Sequence, residues 1–318
     1  MPQSKVQYQE GFSLSEFIEA YGTEDKCLAA LELARWPEGF RCPQCGEGER
    51  FGVINDDRRK RYQCNQCRHQ TTATAGTIFD STKLPLSKWF QAIYLIAHAK
   101  NGISALELKR QLGVSYPTGW KIKHKLMEAM KDRDSQYFLR GLVHVDDAYF
   151  GGELNGGKAG RGSENKVPFV VALELNDENR PIHLKLNRVS GFTGDAIEAW
   201  SKECLAPGTV VFSDGLACFR AVAAAGCDHV PEVIGGRKPK DVPLFKWLNT
   251  ILGNVKTALG GTHHAFNFQK YGDRYLAEMS YRFNRRFYLK GLLDRLLIAG
   301  IGCEPMPERR LRSAELCC

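Results

Sequence analysis

Val143 and Val145 alternate with His144 and Asp146 in the run from residue 142 to 150. That two-residue period predicts a strand with one face on a core. Strands are also predicted over 168–175, 182–189, 209–213 and 229–233, with helices over about 194–204 and 216–225 and through most of 242–299. Residues 151–166 are rich in glycine and charge and have no period, so they read as a loop. That loop lacks the Gly-Lys-Ser/Thr ending of a phosphate-binding P-loop. Upstream the period lengthens. Trp89, Ile93, Leu95 and Ile96 recur at helix spacing, with Pro85 near the start. A second helix is predicted over 104–112. The breaker Gly113-Val114-Ser115 follows, and then a third helix from Pro117 through Trp120, Ile122, Leu126 and Met130. Helix, short glycine turn, helix is the grammar of a helix-turn-helix.

Asp is a poor strand former, so an acid inside the 142–150 strand needs a reason. A satisfied structural acid is one reason and a metal ligand is the other. The strand at 209–213 favours the second, because it runs into Asp214 and Gly215. Two acid-bearing strands in one α/β domain suggest a divalent-metal site for phosphoryl transfer. The element order is strand, strand, strand, helix, strand, helix, strand, helix. This is the order of a ribonuclease-H-like mixed sheet with flanking helices, in which the first and fourth strands are neighbours. Asp146 and Asp214 should then face each other, and in that fold the third metal ligand comes from the last long helix.

The 318 residues are 43% hydrophobic and 25% charged, as in an ordinary soluble protein of two or three domains. No apolar run approaches the roughly 18–20 residues of a membrane span, and residues 1–10 lack a signal-peptide core. A cytosolic protein with reduced thiols is expected, so the eleven cysteines are not a disulfide frame. Four of them form a pattern. Cys42-Pro43-Gln44-Cys45 is followed, after eighteen intervening residues, by Cys64-Asn65-Gln66-Cys67. Two such knuckles complete a tetrahedral four-sulfur shell, the layout of a zinc ribbon with structural Zn2+. The formal net charge of +8 and pI near 8.9 point weakly to a polyanionic partner. Lys121, Lys123, His124 and Lys125 read as the polar side of the third helix, placed to touch DNA. Arg282, Arg285 and Arg286, interleaved with aromatics, are a second set that could hold phosphates.

The chain resembles the bacterial insertion-sequence transposases of the ISXO-like group, which pair a zinc ribbon with a DDE-type nuclease domain. The resemblance runs nearly the whole length. It rests on the two knuckles, Val145-Asp146-Asp147 with Tyr149 and Gly151-Gly152, Gly160-Arg161-Gly162, Ser213-Asp214-Gly215, residues 249–256, residues 261–266 and residues 275–286. It implies a DNA transposase that hydrolyses phosphodiesters at element ends and transfers the strand into target DNA, using Mg2+ or Mn2+ and assembling as a dimer or larger on DNA. It assigns Asp146 and Asp214 as the first two acids. Neighbours on a strand point to opposite faces, so Asp146 rather than Asp147 is expected in the site. No acid lies between residues 249 and 256. The variant of the family that carries Asn followed two residues later by Lys matches Asn254 as third ligand and Lys256 as a charge stabiliser. Asn249 and Glu278 stay open as alternatives. The expected domains are residues 1–75 with the ribbon, 80–135 with the helix-turn-helix, 140–300 with the nuclease and 301–318 as a tail. A DNA-binding regulator with an inactive nuclease-like domain is the competing function.

Overall fold

A computed structural model describes residues 6, 8–56, 59–151, 166–232, 245–263 and 266–313. The expected loop, Gly160-Arg161-Gly162 and His264 lie outside the described residues. In chain order the elements are α1 (Leu14–Tyr21), α2 (Glu24–Arg35), β1 (Phe51–Asp56), β2 (Arg59–Cys64), β3 (Gln70–Thr71), α3 (Leu86–His98), α4 (Ala105–Leu112) and α5 (Tyr116–Ser135). They continue as β4 (Leu142–Phe150), β5 (Val167–Leu175), β6 (Pro181–Arg188), α6 (Gly194–Cys204), β7 (Val210–Ser213), a 3-10 helix (Ala217–Ala225) and β8 (Asp228–Pro231). The last are α7 (Lys246–His263), α8 (Phe268–Asn284), α9 (Leu292–Gly302) and α10 (Glu308–Ser313).

The chain forms two compact units. The first takes in described residues up to Ala99, then Ala105–Ala129 and Phe287–Ser313. The second takes in Lys100–Ser104 and Met130–Arg286. These bounds differ from the expected domains. The stretch after residue 286 belongs with the ribbon and the helix-turn-helix. The reason is burial: α9 turns Leu292, Leu293, Leu296 and Leu297 inward and packs on α3 and α2.

Unit one opens with α1, whose start is a capping box. Ser13 Oγ accepts the Glu16 N–H, and the Glu16 carboxylate accepts the Ser13 N–H at 2.7 Å. The ribbon is the antiparallel sheet β1-β2-β3. Its small core is aromatic. Phe40 stacks on Tyr62 at 4.9 Å, and Trp36 lies edge-on to both at 5.0 and 4.8 Å. Lys60 of β2 pairs with Glu32 of α2 at 2.7 Å. The helix-turn-helix is α4, the turn at Gly113 and α5. Its two helices approach closely at Gly119, where a Cβ would sit 3.0 Å from the Ala105 carbonyl oxygen.

Unit two is a five-stranded sheet in the order β6-β5-β4-β7-β8. β4 pairs antiparallel with β5 and parallel with β7, so the first and fourth strands of the sheet are neighbours. This is the ribonuclease-H-like arrangement. One face carries Val143, Val145, Val170, Ala172 and Val211 into a core with Ile197 and Trp200 of α6 and Phe219 and Val222 of the 3-10 helix. The segment expected as an α-helix over 216–225 is wound tighter, with i→i+3 bonds from Phe219 N to Leu216 O and from Gly226 N to Ala223 O. The other face carries His144 against Phe212 and Phe245, and Phe150 stacked between Phe169 and Phe268 of α8. Arg188 of β6 fixes α8 through Asp273 at 3.0 Å.

Candidate functional site

The two cysteine knuckles have the same backbone. Cys42 N bonds Glu47 O and Gly46 N bonds Cys42 O; Cys64 N bonds His69 O and Arg68 N bonds Cys64 O. The fifth residue of each knuckle is left-handed, Gly46 at φ 77° and Arg68 at φ 62°. This winding points the four thiols at one centre, with all Sγ atoms within 4.8 Å of one another. Sγ of Cys42 lies 3.6 Å from that of Cys67, as does Cys45 from Cys64. A Zn–S tetrahedron with bonds of ~2.3 Å has edges of about 3.8 Å, so the cluster fits the ion closely. The Cys67 N–H donates to the Cys64 sulfur and draws its pKa down to about 7, against burial and with help from the Gln66 N–H. That favours thiolate, the form that binds metal, at Cys64, whereas Cys45 is pushed up to about 12 and Cys67 is also raised by burial and the neighbouring sulfurs.

The second cluster is made by the sheet. β4 and β7 are last paired at His144 and Phe212, and two residues further along the chain stand Asp146, still within β4, and Asp214, one residue past the end of β7. Side chains two apart share a face, so both acids leave the sheet on the same side. Asp214 Oδ1 accepts the Leu216 N–H at 3.1 Å, which sets the turn into the 3-10 helix. Carboxylate oxygens of Asp146, Asp147 and Asp214 lie within 4.8 Å of one another, and all three residues are half-buried. The presence of Asp147 corrects the expectation that only one of the neighbouring acids could enter. Asp146 Oδ1 bends back to accept the Asp147 N–H at 2.9 Å. The carboxylate then lies along the strand, and alternation no longer separates the pair. Two adjacent acids inside a mostly apolar strand were the available signal.

Asn254 and Lys256 are exposed on α7, a helix that packs on β4 and β5. Asn249, also on α7, is exposed. Glu278 does not join the carboxylate cluster. It is 2% exposed on α8, with its carboxylate against Gly102 and Arg282.

The basic residues expected on DNA are placed otherwise. Lys123 and His124 are each 1% exposed. Lys125 turns inward to donate to the Ile78 carbonyl at 2.7 Å and lies over the Trp89 ring. Only Lys121 keeps a solvated ammonium, 3.1 Å from Glu308. The middle of α5 is core, with Ile122, Leu126, Met127 and Met130 buried alongside. A helix enclosed on most sides leaves no polar row. Arg285 pairs with Asp134 at 2.7 Å, both side chains 15% exposed, and stacks on Tyr281. Arg286 donates to the backbone carbonyls of Pro181, Ile182 and Phe283. Burial lowers its pKa to about 10. Both arginines tie α8 to its neighbours within unit two rather than presenting a phosphate-binding edge.

Residues 138–284 match the ISXO2-like transposase domain, and residues 22–70 match the transposase zinc-ribbon domain. Together the two segments take in more than half of the chain. Through these two segments the chain is similar to the ISXO2-like transposases. It is 26% identical over 181 residues to the "Uncharacterized protein in transposable element ISH50" of Halobacterium salinarum, a match covering 52% of this chain and 60% of that protein. The chain therefore spans about six tenths of that relative's length. Among solved structures it is similar to the Mos1 strand transfer complex, at TM-score 0.25 and 14% identity over 67% of this chain and 78% of that one. It is also similar to a pre-cleavage Mos1 transpososome, at TM-score 0.22 and 11% identity over 66% and 78%. With scores this low, the architecture of unit two rests on its own strand order. Among the described residues no helix is long and apolar enough to cross a membrane.

Proposed function

We propose that this chain is a DNA transposase acting on nucleoid DNA in the bacterial cytoplasm. It cuts phosphodiester bonds at the ends of an insertion element and joins the freed 3′-hydroxyls to target DNA. The observation that carries the reading is the meeting of Asp146 and Asp214, on adjacent parallel strands, inside the segment that matches the transposase domain. The donor set fits Mg2+ or Mn2+: hard carboxylate oxygens, half exposed, close enough to share one ion. Asp146 and Asp214 are its first holders. Asn254, from a helix packed on the strand that bears Asp146, offers a neutral carbonyl oxygen as third ligand, and Asp147 offers a charged one.

When bound, such ions supply an activated water and neutralise charge on the phosphodiester. The protein residues supply the rest. Asp146, in the middle of β4, and Asp214, just past β7, accept backbone N–H groups that hold their carboxylates, and they fix where the scissile phosphate sits. Lys256 stabilises charge on the phosphate or the leaving oxygen. The zinc ribbon is structural, and the helix-turn-helix positions the element ends. Two ends must meet for transposition, so assembly to a dimer or larger occurs on DNA.

The test is a strand-cleavage and joining assay, in Mg2+ and in Mn2+, on duplex DNA taken from either side of the gene and searched first for terminal inverted repeats. Asp146→Ala and Asp214→Ala should each abolish both reactions and leave DNA binding intact. Asn254→Ala should also be crippled, with Asn254→Asp better tolerated. An active Asn254→Ala beside a dead Asp147→Ala or Glu278→Ala would reassign the third ligand. A parent inert in both metals that still binds the ends would turn the reading into a DNA-binding regulator.

A further inference from the structure

The last described helix has no place in the chemistry above, and its composition is unusual. α10 reads Glu308-Arg309-Arg310-Leu311-Arg312-Ser313. Six residues do not hold a helix alone in water, so contacts must hold this one. Leu311 is its apolar anchor, at 0% exposure. Further contacts run within the helix and to α5. The Glu308 carboxylate takes Lys121 at 3.1 Å and Arg312 at 2.8 Å, and the Arg312 guanidinium lies 4.8 Å from the Trp120 ring centroid. Arg309 and Arg310 are exposed, the latter 3.4 Å from Glu304. Leu311, the Glu308 pairs and the Arg312 stack anchor the helix. The exposed Arg309 and Arg310 are in excess of what that anchoring asks.

Those charges sit where the helix-turn-helix lacks its own. Lys123 and Lys125 of α5 are committed to the interior. A docking helix-turn-helix needs cations to neutralise phosphates beside the groove its second helix enters. α10 delivers them to the first turns of that second helix, inside the same compact unit. We propose that α10 and the start of α5 form one phosphate-binding surface for duplex DNA, with Lys121, Arg309, Arg310 and Arg312 as its cations. Charge complementarity favours a regular polyanion. Four cations face two acids there, and the one apolar side chain of α10 is buried, so the described part of the helix offers no exposed apolar side chain to a peptide or a bilayer. Arg312, stacked on Trp120, is already ordered and loses less freedom on meeting a phosphate. The inference rests on the reading of this chain as a DNA-acting protein and extends it to a segment outside both family matches.

The experiment uses full-length, zinc-loaded protein and a fluorescein-labelled duplex of about 30 base pairs and arbitrary sequence, titrated by anisotropy between about 50 and 200 mM salt. The triple variant Arg309→Gln/Arg310→Gln/Arg312→Gln should bind at least about tenfold more weakly at low salt, and its log–log salt slope should be shallower by about two to three. The double variant Arg309→Gln/Arg310→Gln keeps the Trp120 stack and the Glu308 pairs, so it guards against loss of the helix itself; its slope should fall by about two. An unchanged slope in both variants overturns the proposal. So does a parent that ignores duplex, or one that binds single-stranded RNA or anionic phosphatidylserine vesicles more tightly through the same arginines. A parent that binds duplex through them yet cuts no DNA in either metal would refute the transposase reading and leave this surface standing.

Discussion

Replacing Asp147 by Asn separates the two ways this acid could matter. Carboxylate oxygens of Asp146, Asp147 and Asp214 lie no more than 4.8 Å apart. Without a cation, two charges at that distance repel by about 3.5 kcal/mol at an effective dielectric of ~20 and about 0.9 kcal/mol at ~80. All three residues are half exposed, so solvent and salt bring the figure toward the lower end. Asp147→Asn removes two of the three repulsions, is nearly isosteric, and leaves intact the backbone N–H that Asp146 accepts. Metal-free protein should therefore gain about 1–2 kcal/mol, raising the melting temperature of unit two by roughly 3–6 °C. The same substitution should weaken the response to Mn2+, because stabilisation by a ligand scales with its affinity for the folded state. The assay is a thermal melt in EDTA and at increasing Mn2+, with the exposed Asp177→Asn as control. A variant that melts at or below the parent in EDTA, or that gains as much as the parent from Mn2+, would show that Asp147 neither crowds nor completes the cluster.

Elemental analysis should find one zinc per chain, lost in Cys64→Ser, while the melt of unit two stays where it was, since that unit has its own core. Lys123→Ala should destabilise unit one by about 1–3 kcal/mol in a urea titration and leave the salt slope of DNA binding unmoved; a changed slope with unchanged stability would return Lys123 to the DNA surface. Arg285→Ala strips the partner from a mostly buried Asp134 and should lower stability by about 2–4 kcal/mol, less if water reaches the pair, again without altering the slope. Glu308 is held below the usual carboxylate range, first by its hydrogen bond from Arg312 and then by Lys121. An acid depressed in the folded state stabilises above its unfolded pKa and ceases to do so as pH falls through the folded one. Trp120 fluorescence should therefore change on acidification below the ordinary carboxylate range, and Glu308→Gln should remove that transition.

What the linear chain determined is what short-range physics can write into spacing. Two Cys-x-x-Cys knuckles need only a local turn to form, so their ligand set was legible before any fold. Period-two alternation placed β4 and β5, and the order of strands and helices implied that the first and fourth strands would touch, which is why Asp146 and Asp214 could be paired in advance. The capping box at Ser13 and Glu16 is local in the same way, though no helix was expected there, and marks the start of α1. Tertiary structure decided what depends on neighbours far along the chain. Lys123 and Lys125 occupy polar-looking positions on α5, yet their surroundings enclose that helix, and no local pattern reports it. Arg285 and Arg286 looked like phosphate ligands until Asp134 and the carbonyls of β6 arrived beside them. Asp147 alternates away from Asp146 in an ideal strand and rejoins it because one carboxylate bends to a backbone N–H. The residues after 286 read as the end of the nuclease domain and a tail, but their leucines find α2 and α3, roughly 200 to 270 positions earlier in the chain. Burial is a property of the pair of surfaces that meet, and only the fold chooses which surfaces those are.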